Sequence, residues 1–163
     1  IGEHGAAIMA AQAGIDVESS GLYSDVQPLT RVMQEAMKIG EVHAAKDLTR
    51  GGLASALNEF ASKNKVTVYV YEDKIPVRDE VLAYSEMLGV DPLVLACEGR
   101  VVVAAPPEDA ETIVKAWKRM GFVKAEVIGE ITLERPGYVL LETLAGGIRI
   151  VEKPTGEIVP RIC

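Results

Sequence analysis

The sequence predicts an α+β fold in which a mixed sheet is covered by helices. Three observations predict it. Apolar residues recur at helical spacing in some segments, as at Leu29, Val32, Met33 and Ala36. They alternate with polar or aromatic residues at strand spacing in others, as from Val66 to Tyr71. The two kinds of segment are interleaved along the chain. At 163 residues and 48% hydrophobic, the chain can bury one sizeable core.

The elements follow in order. Residues Glu3 to Ala13 are alanine-rich and end at Gly14, a helix with His4 in its first turn. A charged imidazole is disfavoured at that end of a helix dipole, so His4 is either neutral or functional. Ser19 to Gln27 reads as loop. Pro28 opens the next helix and Gly40 closes it. Val42 to Asp47 is a short strand running into Leu48-Thr49-Arg50-Gly51-Gly52 and a helix with Leu53, Leu57 and Phe60 on one face. Asn58 and Glu59, further along it, read as solvated.

From Val66 the expected order is strand (66–71), helix (79–88), strand (93–97), a two-residue turn at Glu98-Gly99, strand (100–105), helix from Pro107 and strand (126–132). This βαββαβ order is the split βαβ unit of ferredoxin-like layouts. It puts Glu98 at a hairpin tip and makes Cys97 a small buried strand residue. A last hairpin, 138–142 with 148–151, turns around Ala145-Gly146-Gly147. The expected organisation is an α/β domain over residues 1–153 and a flexible tail over 154–163, ending in Pro160-Arg161-Ile162-Cys163.

Two features carry candidate chemistry. The first is the turn Asp47-x-Thr49-Arg50-Gly51-Gly52 between a strand and a helix. Glycines permit close approach to the backbone, free N–H groups at a helix start attract anions, and Arg50 suits phosphate or carboxylate. Asp47 and Thr49 read equally as capping residues. The second is the terminal cysteine. The ten residues from Pro154 can extend by roughly 30 Å, enough for the Cys163 thiol to act as a swinging arm; a chance ending is the alternative.

Charge and composition exclude several classes. Lys+Arg 17 against Asp+Glu 24 gives −7, which argues against nucleic acid. No segment approaches a membrane span and no signal peptide is visible. Two cysteines make no disulfide framework and suit a reducing cytoplasm. The start at Ile1, already in a helical pattern, suggests the C-terminal part of a longer protein.

Several stretches together resemble the HypE family of hydrogenase maturation proteins, carbamoyl-cysteine dehydratases of the aminoimidazole ribonucleotide synthetase-like superfamily. They are Gly2-Glu3-His4-Gly5, Ser24-Asp25, Asp47 to Ala54, Ile75-Pro76-Val77-Arg78, Cys97-Glu98-Gly99-Arg100, Val127-Ile128-Gly129-Glu130 and Pro160-Arg161-Ile162-Cys163. Leu48 stands where that family favours proline, and Cys97 and Arg100 where asparagine and lysine are commoner.

The resemblance implies that a partner, HypF, carbamoylates Cys163. ATP with Mg2+, held mostly by an N-terminal domain that also dimerises, then drives dehydration to a thiocyanate. The cyano group passes to iron on a HypC–HypD complex as a ligand of the nickel–iron centre. Asp47, Thr49, Arg50, Gly51 and Gly52 are expected to face phosphates, and Glu98 or His4 to serve as the base. No metal site in the chain itself is expected. Another ATP-using superfamily member, such as a selenophosphate synthetase, and a non-catalytic cysteine-tailed carrier are the alternatives.

Overall fold

A computed structural model describes residues 1–156. The α+β class holds, with mixed strand pairing and helices against the sheets. The chain forms α1 (Glu3–Gln12), α2 (Val17–Ser20), α3 (Thr30–Ile39), β1 (Ala44–Asp47), α4 (Gly52–Asn64), β2 (Thr67–Tyr71), α5 (Asp79–Leu88), β3 (Val101–Ala104), α6 (Pro107–Arg119), β4 (Gly129–Thr132), β5 (Val139–Glu142) and β6 (Ile148–Ile150). Four strands form one sheet in the order β4-β2-β5-β6, while β1 and β3 pair antiparallel in a second. Within the larger sheet β2 and β5 run parallel, and the other neighbours antiparallel.

The main core lies between α4 and the inner face of the larger sheet. Leu53 and Leu57 of α4 meet Val68, Val70, Val139 and Leu141. Asn58 is not simply solvated: its amide donates to the carbonyls of Ala54 (2.8 Å) and Val151 (3.0 Å), tying α4 to the residue after β6. A second core joins α1 to α5 through Ala6, Ala10, Val81 and Tyr84. On the outer sheet face, the Tyr69 and Tyr71 hydroxyls donate to Glu142 and Glu130. Separately, α3 packs on α6, where the Trp117 indole N–H donates to the Val32 carbonyl (2.9 Å).

One expected strand is absent. Pro92–Val94 is a short 3-10 turn, and the chain then runs to Arg100 without a strand partner, bending at Leu95 and at Glu98-Gly99. Glu98-Gly99 is therefore not a hairpin tip, and β3 returns to β1 rather than to a neighbour at 93–97. The ferredoxin-like unit is corrected accordingly: its strands are divided between two sheets. The physical reason is that segment 93–97 separates the two cores. Leu93 and Cys97 enter the α4 core while Leu95 enters the α1–α5 core. Its alternation is real, but its backbone bonds go to Gly5 on one side and Leu48 on the other.

Candidate functional site

The candidate site is built where the starts of α1 and α4 meet the segment Leu93–Arg100. The Gly5 N–H donates to the Ala96 carbonyl (2.9 Å), and the Gly2 N–H to Cys97 Sγ (3.1 Å). These bonds dock the first turn of α1 on the segment and bring His4 to Glu98, with Nε2 4.0 Å from Oε1. The other imidazole nitrogen, Nδ1, shares a 2.8 Å hydrogen bond with Ser24 Oγ.

The backbone carrying Glu98 is held from the loop before α3. Asp25, whose side chain is 1% exposed, accepts from the N–H groups of Glu98 (2.9 Å) and Gly99 (3.3 Å). The Gln27 amide donates to the Gly99 carbonyl (3.1 Å). A side chain on residue 99 would overlap the Asp25 carbonyl, so only glycine lets the two backbones approach this closely.

Beneath this turn lies a charged cluster. Arg100 donates through Nη2 to Glu3 Oε1 (2.7 Å), and its Nε lies 3.6 Å from Asp25 Oδ2. In the isolated chain, burial pushes the Glu3 carboxyl up, but the amino group at Ile1, a charge that chain alone carries, and the Arg100 guanidinium outweigh it and hold its pKa below the ordinary value. Burial pushes the Cys97 thiol up to about 12, against the smaller opposing effect of the Gly2 N–H. A thiol so placed is inert at neutral pH.

Ligand atoms of Glu3, Asp25 and Cys97 lie within 4.8 Å of one another. The Arg100 guanidinium already balances the two carboxylates, and Cys97 offers a thiol rather than a thiolate. The cluster does not fit Mg2+, which takes oxygen ligands at an uncrowded octahedral site.

The turn at Asp47–Gly52 adjoins the same segment through a 3.1 Å bond from the Cys97 N–H to the Leu48 carbonyl. Leu48 is buried, while Asp47 and Arg50 are exposed and Thr49 half-buried. The N-cap of α4 is Gly51, in the left-handed region at φ 67, and no side chain among the described residues caps the helix. Asp47 and Thr49 therefore do not cap α4. The two glycines face the protein's own atoms. A Cβ on Gly52 would lie 2.5 Å from the Leu95 carbonyl oxygen, and one on Gly51 2.9 Å from Pro154 Cγ. Room for a ligand is offered by the exposed Arg50 and Asp47, not by the space the glycines leave. Asp47 and Thr49 are the oxygen donors here that suit Mg2+.

The structure thus brings His4 and Glu98 together and sets the Asp47–Gly52 turn against the opposite side of their supporting segment. Cys163, with Pro160, Arg161 and Ile162, lies outside the described residues. Sequence reasoning gave no role to Ser24, Asp25, Glu3 or Arg100. The available signals were the Ser-Asp pair in a loop and glycines at 2, 5, 52 and 99, whose demand for close backbone contact converges on one segment.

Residues 1–141 match the family described as AIR synthase related protein, C-terminal domain. The whole chain aligns at 44% identity with a hydrogenase expression/formation protein of Methanocaldococcus jannaschii, and at 41% with the carbamoyl dehydratase HypE of Rhodobacter capsulatus, covering 48% of each. It therefore spans about half the length of the curated relatives it matches. Among solved structures, hydrogenase maturation protein HypE in complex with ATP superposes over the whole chain with a TM-score of 0.92 at 33% identity, covering 50% of that chain. A HypE–HypF complex covers 94% of this chain and 50% of its own, with a TM-score of 0.86 at 36% identity. With one family spanning most of its length and HypE proteins matching throughout, the chain belongs to the AIR synthase related C-terminal domain family, as the C-terminal domain of HypE.

Proposed function

We propose that the chain works in hydrogenase maturation as the C-terminal half of a carbamoyl dehydratase. The observation that carries this reading is the His4–Glu98 pair, found within a chain 41% identical along its length to the Rhodobacter capsulatus enzyme. In this reading Cys163 takes a carbamoyl group from HypF, a partner consistent with the HypE–HypF complex among its structural neighbours. ATP then makes the amide oxygen a leaving group, and the adduct becomes a thiocyanate. The cyano group passes through HypC–HypD to the nickel–iron centre. The full protein works as a homodimer in the cytoplasm.

The chemistry divides among the residues. Making the amide oxygen leave requires its phosphorylation, and the exposed Arg50 beside the start of α4 offers positive charge to the phosphates. Mg2+ entering with ATP supplies charge neutralisation, with Asp47 and Thr49 as the ligands this turn can lend; most nucleotide contacts lie in the half of HypE outside this chain. Glu98 takes the amide N–H proton. Its own N–H is fixed by Asp25, so its side chain starts from a rigid backbone. Tethering the substrate to Cys163 on a tail spanning residues 154–163 replaces a bimolecular encounter.

Intact mass of the full-length protein tests this. With HypF, carbamoyl phosphate and ATP, an adduct of about 43 Da is expected on Cys163, then a loss of about 18 Da on dehydration, as a covalent carrier requires. Cys163→Ser should take no adduct. Glu98→Gln should take it and keep it. An adduct that forms on Cys163→Ser, or wild-type water loss in Glu98→Gln, overturns the respective assignment.

A further inference from the structure

We infer that His4 and Ser24 form a proton relay that carries protons from Glu98 to the protein surface. The inference rests on the dehydration reading above and deepens it. Converting S–C(=O)–NH2 to S–C≡N removes two protons from one nitrogen. The first leaves as the amide oxygen takes the γ-phosphoryl group of ATP, giving S–C(OPO3)=NH and ADP. The second leaves as the C–O bond breaks. Phosphate departs with that electron pair and takes its proton from solvent. A carboxylate holds one proton, so Glu98 must be emptied before it can act again.

The structure supplies a path. Glu98 is 30% exposed, and that open edge is where the carbamoyl group must sit to be deprotonated, so the substrate covers it. Among the described residues, His4 Nε2 lies 4.0 Å from the carboxylate, a gap that one bridging water or a small side-chain rotation closes. The far nitrogen, Nδ1, meets Ser24 Oγ at 2.8 Å. Ser24 Oγ also accepts from the Val26 N–H at 3.3 Å, and its other lone pair can accept from Nδ1–H while its own hydroxyl proton passes to water. The tautomer that works outward carries its proton on Nδ1 and turns the Nε2 lone pair to Glu98, so the ring can accept there.

Ser24 itself is exposed, so the chain Glu98–His4–Ser24 ends in water. A proton entering the imidazole at one nitrogen is released from the other, and a solvent-facing hydroxyl passes it on. Ser24 is a positioning residue and His4 the carrier. Asp25, next to Ser24, holds the Glu98 backbone N–H, so one dipeptide sets both ends of the path.

Chemical rescue in the full-length protein tests the relay. Protein carbamoylated on Cys163 is mixed with ATP, and water loss is followed by mass over a series of imidazole concentrations. His4→Gln and Ser24→Ala should load the carbamoyl group normally and lose water on the order of tenfold more slowly, the scale of lost proton-transfer assistance. The phosphorylated adduct should accumulate, and imidazole should restore the rate in proportion to its concentration. Lost packing would not respond to imidazole. Variants as fast as wild type, or slow variants indifferent to imidazole, overturn the relay alone. Wild-type protein that never loses water with ATP overturns the dehydration reading and the relay with it.

Discussion

At the scale of single residues, the site depends on groups that never meet substrate. Arg100 is the main one. It sits between Glu3, which is 5% exposed, and Asp25, the residue that holds the Glu98 turn. Removing one partner of a buried pair leaves an uncompensated charge. Arg100→Met should therefore destabilise the chain at neutral pH by about 2–3 kcal/mol, somewhat below the fully buried case because the guanidinium keeps some access to water. The pH dependence has a definite sign. The folded Glu3 carboxyl titrates below its ordinary value of 4.5, so its contribution is complete above that value and is lost as pH falls through the lower, folded one. Thermal melts of the isolated chain and its variant from about pH 7 to about pH 3 should show a gap that narrows on acidification. A gap that widens there would contradict the pairing. Cys97, by contrast, is a packing residue: its thiol is buried and raised to about 12, far from the reactive range expected of the terminal cysteine.

At the scale of elements, the turn before α4 combines two demands that substitution can separate. Gly52 has φ 58 and faces the carbonyls of Leu93 and Leu95, so Gly52→Ala combines backbone strain with a clash and should cost on the order of 2–3 kcal/mol. Arg50 is exposed, and Arg50→Ala in the full-length protein should slow ATP turnover with little change in melting temperature. Unchanged turnover with lowered stability would make the turn purely architectural. The helices here were legible because their signals are local: Gly14, Pro28, Gly40 and Pro107 mark ends, and 3.6-residue periodicity marks faces. Leu93–Cys97 was misread because its alternating burial is the same signal a strand gives. Only the destination of its hydrogen bonds distinguishes them, and those partners are Gly5 and Leu48, distant in sequence. The site divided in the same way. His4, Glu98 and the Asp47–Gly52 turn stand out by residue type. Ser24, Asp25 and Arg100 matter through contacts that residue type alone does not reveal.

At the scale of the molecule, the two cores share one wall. Leu93 and Cys97 face one core and Leu95 the other, so neither can loosen without moving the segment that carries Glu98. Both cores are built from residues between Ile1 and Val151, although Leu82 and Leu88 of α5 stay partly exposed. The chain alone should therefore unfold in a single cooperative step, with calorimetric and van't Hoff enthalpies in agreement. Leu95→Ala, at a side chain 1% exposed, should lower that one transition as a unit by about 3 kcal/mol rather than split it. Two resolved transitions, or a loss confined to the α1–α5 side, would show that the cores are independent. The same isolated chain should bind ATP weakly in titration calorimetry, because the charge this turn offers to phosphates is one exposed arginine on a molecule of net charge −7. Micromolar affinity for the isolated chain would move the nucleotide site into this half of the protein.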